Sequence, residues 1–236
     1  MIIFTRLILA HLLTDFVIFR RHLFDIKKEN RFWGYSLHFA IFAALTLILC
    51  WPYMGMVWVN FLGITLNGWQ TLPFLAAAHT ATDIACKTTA GRLHTFLFVL
   101  WQIVCVSILF LAFPVLSAQQ VLAVNEHWET FLIIAAGAVF VTFFIKTLNH
   151  FIEKDLYGEY KPMFDVNYAN MLIRLALYLL LLAPCFWGLA LGALWVGFVL
   201  ITSKIRGFDI SPVRLYIALP LAAIAGAVVR YFIYYA

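Results

Sequence analysis

Ile2-Ile3-Phe4-Thr5-Arg6-Leu7-Ile8-Leu9-Ala10-His11-Leu12-Leu13-Thr14-Asp15-Phe16-Val17-Ile18-Phe19 is a run of membrane-spanning length with an imidazole and a carboxylate set four residues apart inside it. About 20 apolar residues cross the hydrocarbon layer as a helix, with a usable range near 17 to 25. The same interval recurs as His79-Thr80-Ala81-Thr82-Asp83 within another apolar stretch. An ionisable group at the centre of a membrane helix costs about 2.5 to 3.5 kcal/mol. Two copies of one costly interval therefore point to a buried functional site.

The rest of the chain supports the membrane reading. It is 65% hydrophobic and 11% charged, with a mean hydropathy of +0.96, whereas soluble domains carry about 25% charged residues. There is too little polar material to clothe a soluble core, so lipid must serve as the outer solvent. The expected fold class is all-α, a polytopic transmembrane helical bundle of about eight spans, with seven as the alternative. The N-terminus lacks the basic start and small-residue cleavage site of a secretory signal and reads as a retained first helix. Cys50, Cys86, Cys105 and Cys185 are scattered in or beside apolar runs without a CxxC, which reads as free thiols in helices.

The expected spans are residues 2–19, 34–54, 71–87, 93–117 (interrupted late by Pro114), 131–149, 167–183, 189–203 and 212–235. Residues 167–203 read alternatively as one hairpin split at Pro184 and Gly188. Residues 55–70, with Gly55, Gly63, Gly68, Trp58 and Trp69 and no charge, read as an interfacial loop or a short re-entrant piece. This divides the chain into an N-terminal four-helix membrane unit over 1–118, carrying the His and Asp cluster, and C-terminal helices over 119–236 with a charged cytoplasmic connector at about 150–166.

Charge sets the expected orientation, because Lys and Arg mark the cytoplasmic ends of membrane helices. With the N-terminus outside, the inner regions carry Arg20, Arg21, Lys27, Lys28 and Arg31, then Lys87 and Arg92, then Lys146, Lys154, Lys161 and Arg174, then Lys204, Arg206 and Arg214, which is fourteen of the sixteen basic residues. The loop near residue 125 carries Glu126 and Glu129 without Lys or Arg. A multi-pass protein of the inner (cytoplasmic) membrane with both termini outside is the expectation. The basic inner face would favour an anionic lipid leaflet. A cytoplasmic protein partner and further copies of the chain are open options. Nucleic acid is not expected, since the basic residues sit in short loops rather than on one soluble stripe.

On a helix, residues four apart share a face, so His11 with Asp15, and His79 with Asp83, can each aim two groups at one point. Under the topology above, Asp15 lies about four residues, or roughly 6 Å, from the inner end of its helix, and Asp83 sits similarly. His38 enters at that depth from helix two, and Gln102 and Cys105 rise from helix four towards the level of His11 and His79. Imidazoles and carboxylates together suit a divalent metal, zinc first. The expected ligands are His11, Asp15, His38, His79 and Asp83, with Asp15 or Asp83 as a general base. The alternatives are a hydrogen-bonded His and Asp network joining the helices and a proton or ion pathway.

Other polar residues have plainer readings. His22 and His94 read as solvated, His127 as interfacial beside Trp128, and His150 with Glu153 and Asp155 as a charged helix end; Lys146 and Arg174 can snorkel along their apolar stems. Gly188, Ala190, Gly192, Ala193 and Gly197 lighten one helix side for close packing. No phosphate-binding glycine loop, HExxH or GxSxG is present, so nucleotide hydrolysis, the common intramembrane zinc protease and serine esterase chemistry have no support. Two functions remain in view: a membrane metal-dependent hydrolase acting on a lipid or membrane-interface substrate, and a non-enzymatic protein that conducts an ion or docks a partner.

His11-Leu12-Leu13-Thr14-Asp15, Leu37-His38 and His79-Thr80-Ala81-Thr82-Asp83, followed by Lys87, resemble the bacterial integral membrane proteins described as domain of unknown function 3307. Leu172-Ile173-Arg174, Gly197-Phe198 and Ser203-Lys204-Ile205-Arg206 extend the likeness more weakly. The resemblance implies an acid, a glutamine and a histidine in the fourth helix, at positions filled here by Trp101, Gln102 and Cys105. It also implies a second histidine in helix two, filled here by Phe42. It implies shared architecture and an altered site, and no particular reaction.

Overall fold

The structure is a computed structural model that describes residues 2–18, 26–27, 29–61, 63–88, 94–111, 126–158, 164–184, 186–206 and 214–235. They fall into two compact units, Met1–Leu132 and Ile133–Ala236.

In the first unit, α1 (Ile2–Leu12) runs on into a π-helical turn, Leu13–Val17, closed by the Ile18 N–H donating to the Leu13 carbonyl at 2.8 Å. Asp15 sits in that widened turn. Helix α2 (Arg31–Cys50) starts at Asn30, whose side chain accepts from the Trp33 N–H at 3.2 Å, a normal N-cap that satisfies one orphan donor. Helices α3 (Gly68–Thr88) and α4 (His94–Leu111) complete the set. Ile3, Leu7, Ala10, Phe42, Leu75, Ala76 and Leu109 form the apolar core between them. The sequence readings for these four helices hold to within a few residues, while residues 112–117 of the expected fourth span lie outside the described ones.

Residues 55–70, read from sequence as an interfacial loop or a short re-entrant piece, contain a β-hairpin. Strands β1 (Val57–Phe61) and β2 (Ile64–Asn67) pair antiparallel, and Gly63 turns the chain at φ 80°, a conformation that only glycine adopts readily. Pairing satisfies the backbone of a short segment that is too brief to span as a helix. Trp58 is buried against the end of the core, and its indole N–H donates to the Tyr53 carbonyl at 2.9 Å. The sequence shows glycines and aromatics here, but the alternation is too short to announce a strand.

In the second part of the chain, α5 begins as Glu126–Val139, passes through a π-helical turn at Phe140–Phe144 and continues as Ile145–Tyr157. Helices α6 (Phe164–Leu181), α7 (Trp187–Arg206) and α8 follow, the last combining a π-helical turn, Arg214–Ala218, with Leu219–Tyr234. Residues 167–203 are thus two helices joined at Pro184. Val141, Ile145, Leu177, Tyr178, Leu181, Ala218 and Ala222 make their core.

Two expectations change here. Arg174 does not snorkel: it is buried, with Nε donating to the Val141 carbonyl at 2.9 Å and Nη2 to the Thr142 carbonyl at 3.2 Å. Those carbonyls lie in the π-helical turn, whose altered ladder offers acceptors to a side chain. Glu153, read from sequence as part of a charged helix end and connector, lies near the end of the helix Ile145–Tyr157 but is buried.

Among the described residues, four helical segments are long and apolar enough to cross a membrane: Arg31–Tyr53, His94–Leu111, His127–Tyr157 and Tyr216–Tyr234. Tyr168–Leu181 and Trp187–Thr202 are shorter apolar helices. Helix α3 is absent from these four because Gln70, Thr71, His79, Thr80, Thr82 and Asp83 dilute its hydropathy. The residues that make α3 chemically interesting are those that weaken its membrane signal.

Candidate metal centre

Three helices deliver three side chains to one point. Asp15 Oδ1 from the π-helical end of α1 stands 3.1 Å from His79 Nε2 of α3 and 3.5 Å from His38 Nε2 of α2. All three donor atoms lie within 4.8 Å of one another. Ligand bonds of about 2.0 to 2.2 Å in a tetrahedral zinc site place neighbouring ligand atoms about 3.3 Å apart, so the two short separations suit a shared ion. His38 and His79 are each 2% exposed, and neither Nδ1 nor Nε2 of either ring makes a hydrogen bond of regular geometry. Buried polar atoms normally find partners. A cation between these donors would satisfy several of them at once.

The rings are held by packing. His79 stacks on Phe42 with centroids 4.2 Å apart and on His38 at 5.1 Å, and meets His11 edge-on at 5.0 Å. Phe42 therefore serves as an apolar wall for His79. His11 joins the layer from α1, one turn before Asp15: its Nδ1 faces Asp15 Oδ2 at 3.6 Å and its Nε2 meets Gln102 Oε1 of α4 at 3.0 Å. Asp15 thus turns one oxygen to His38 and His79 and the other to His11.

Cys105 brings α4 to the same layer. One donor atom each of His11, His79 and Cys105 again lies within 4.8 Å of the others, all in buried side chains. Cys105 Sγ is 2.8 Å from Thr82 Oγ1, and that hydroxyl donates to the His79 carbonyl at 2.7 Å. Trp101 is half-buried and contributes no group to either donor set.

Asp83 takes a different part from its sequence twin. Its Oδ2 is 2.5 Å from Lys27 Nζ and 4.0 Å from His38 Nε2, and it belongs to neither donor set. Lys27, read from sequence as one charge of a basic loop, is buried and lies over the Tyr35 ring at 5.1 Å. Gly34 makes this approach feasible, because a Cβ there would fall 2.6 Å from Lys27 Cα. No spacing rule links Lys27 to Asp83, so sequence reasoning missed the pair. It missed a second one as well: Arg6 is buried, pairs with Glu129, donates to the Leu49 carbonyl and lies over the Tyr53 ring.

His127 and His150 are exposed. His94 opens α4 half-buried, and His22 lies outside the described residues.

The family model described as Protein of unknown function (DUF3307) matches residues 3–134. The chain belongs to that family. The match covers every residue of the site and stops at residue 134, just inside the second unit, so the weaker likeness around Arg174, Gly197 and Lys204 falls outside it. No curated protein and no solved structure matches the chain.

Proposed function

We propose that this member of the family is a membrane protein with a divalent-metal centre held by Asp15, His38 and His79, and that the centre serves hydrolysis of a lipid or membrane-interface substrate. The single observation that carries the metal reading is the convergence of one carboxylate oxygen and two imidazole nitrogens from three helices, 3.1 and 3.5 Å apart along two edges. Zinc is the preferred ion by donor type. Such an ion supplies Lewis acidity and lowers the pKa of a coordinated water towards about 7. His11 flanks the second oxygen of Asp15, with Nδ1 3.6 Å from Oδ2, and so backs the ligand from outside the donor set. Asp83, whose Oδ2 lies 4.0 Å from His38 Nε2, takes the general-base role, with Lys27 holding it in place. In this reading the centre faces the cytoplasmic half of the inner membrane, both termini lie outside, and the basic loops rest on anionic lipid.

Elemental analysis of the full chain purified in detergent tests the metal reading. A first-row divalent ion near one or more equivalents, lost in His79→Ala, is the expected result; metal-free protein whose His79→Ala variant is equally stable would overturn it.

The Lys27–Asp83 pair and the His11–Gln102 bond favour one other reading, a conducting or structural polar network without an ion. Proton or cation flux into liposomes, compared between wild type and Asp83→Asn, discriminates: flux lost in the variant supports conduction, and a wild-type rate equal to empty vesicles excludes it.

A further inference from the structure

His79 stands where two donor sets overlap. Asp15 and His38 meet it in one set, and His11 and Cys105 meet it in the other. Its two ring nitrogens are both buried and neither makes a hydrogen bond of regular geometry, although Nε2 faces Asp15 Oδ1 at 3.1 Å. An imidazole has two lone-pair nitrogens once both protons are removed, and each can take one metal ion. His11 Nδ1 is likewise buried without a hydrogen bond.

Thr82 links the thiol to the backbone of His79. Thr82 has one hydroxyl hydrogen, given to the His79 carbonyl at 2.7 Å, so in its 2.8 Å contact with Cys105 the S–H is the donor. When the thiol proton leaves, Thr82 can turn its hydroxyl to the sulfur and stabilise the thiolate, the role an outer hydrogen-bond donor plays around a metal ligand. Thiolate with imidazole is a soft donor set that suits zinc, whereas the carboxylate-containing set is harder.

We propose that His11, His79 and Cys105 form a second, thiolate-containing metal position, and that His79 serves both positions with one ring nitrogen to each. This rests on the metal reading above and adds to it a binuclear centre spanning α1 to α4. Loading the second ion releases two protons, one from the Cys105 thiol and one from the His79 ring, and needs no oxidant or reductant.

Titration of the metal-stripped full chain in detergent with Co(II) tests this, because thiolate ligation gives an intense near-ultraviolet charge-transfer band and carboxylate–imidazole ligation gives only visible bands. Wild type is expected to saturate at two Co(II) per chain with the near-ultraviolet band present. Cys105→Ser is expected to saturate at one, without that band but with the visible bands of the first position, which also report that the variant is folded. Wild-type saturation at one equivalent without a charge-transfer band, or a band that survives Cys105→Ser, would overturn the second position and leave the first standing. Absence of any Co(II) uptake by wild type would overturn both.

Discussion

Asp15 Oδ1 and His79 Nε2 are 3.1 Å apart, although Asp15 belongs by spacing with His11 and His79 belongs by spacing with Asp83. The two His and Asp intervals are therefore cross-connected. Asp15 becomes the hub that touches His11, His38 and His79, while Asp83 turns to Lys27. Four consequences can be measured.

Metal removal should loosen the first unit. A ligand that binds only the folded state adds about 2.7 kcal/mol at 100 times its Kd, so chelation should lower the thermal midpoint of the purified protein and zinc should restore it. An identical melting curve with and without chelator would contradict a bound ion.

Asp15→Asn and His79→Ala should weaken metal binding more than His11→Ala. At the Asp15–His38–His79 position the first two remove a ligand, whereas His11 acts there only through the second oxygen of Asp15, where such losses amount to about 10- to 100-fold in affinity. Competition with a chromophoric chelator gives the ranking, and a larger loss for His11→Ala than for Asp15→Asn would reverse the assignment.

Lys27→Met should destabilise the first unit by less than the ~3 to 5 kcal/mol of a fully buried pair, because the Asp83 carboxylate left without its partner is only partly buried. Adding Asp83→Asn should recover much of it. Unfolding of the three variants in detergent checks this, and additive losses in the double variant would show that the pair is not coupled. Gly34→Ala should act on the same pair from outside, since the new methyl meets Lys27 backbone at 2.6 Å; overpacking of this kind costs about 1 to 3 kcal/mol.

Arg174→Met should destabilise the second unit by about 1 to 3 kcal/mol for each acceptor left without its donor, because the Val141 and Thr142 carbonyls both take hydrogen bonds from this guanidinium. Arg174→Lys should recover only part, as one ammonium cannot reproduce two fixed N–H directions. Equal stability of wild type and Arg174→Met would remove the structural role given to this buried cation.

The helical character of this chain was legible in sequence because it follows from composition and length alone: lipid-sized apolar runs must satisfy their backbones internally, and a helix does this without distant partners. Four of the residues in the candidate donor sets were legible for a related reason, since His11, Asp15, His38 and His79 are conspicuous wherever their surroundings are apolar, as is Asp83, which lies outside those sets. Partner choice was not. Helical spacing constrains only neighbours on one face, so it treats His11–Asp15 and His79–Asp83 as equal. Packing of α1 to α4 decided that Asp15 is the hub and that Phe42 backs His79. Tertiary packing also placed Lys27 against Asp83 and, within the second unit, Arg174 of α6 on the carbonyls of the π-helical turn of α5. Contacts between helices depend on how their side chains interlock, which no single-helix period encodes.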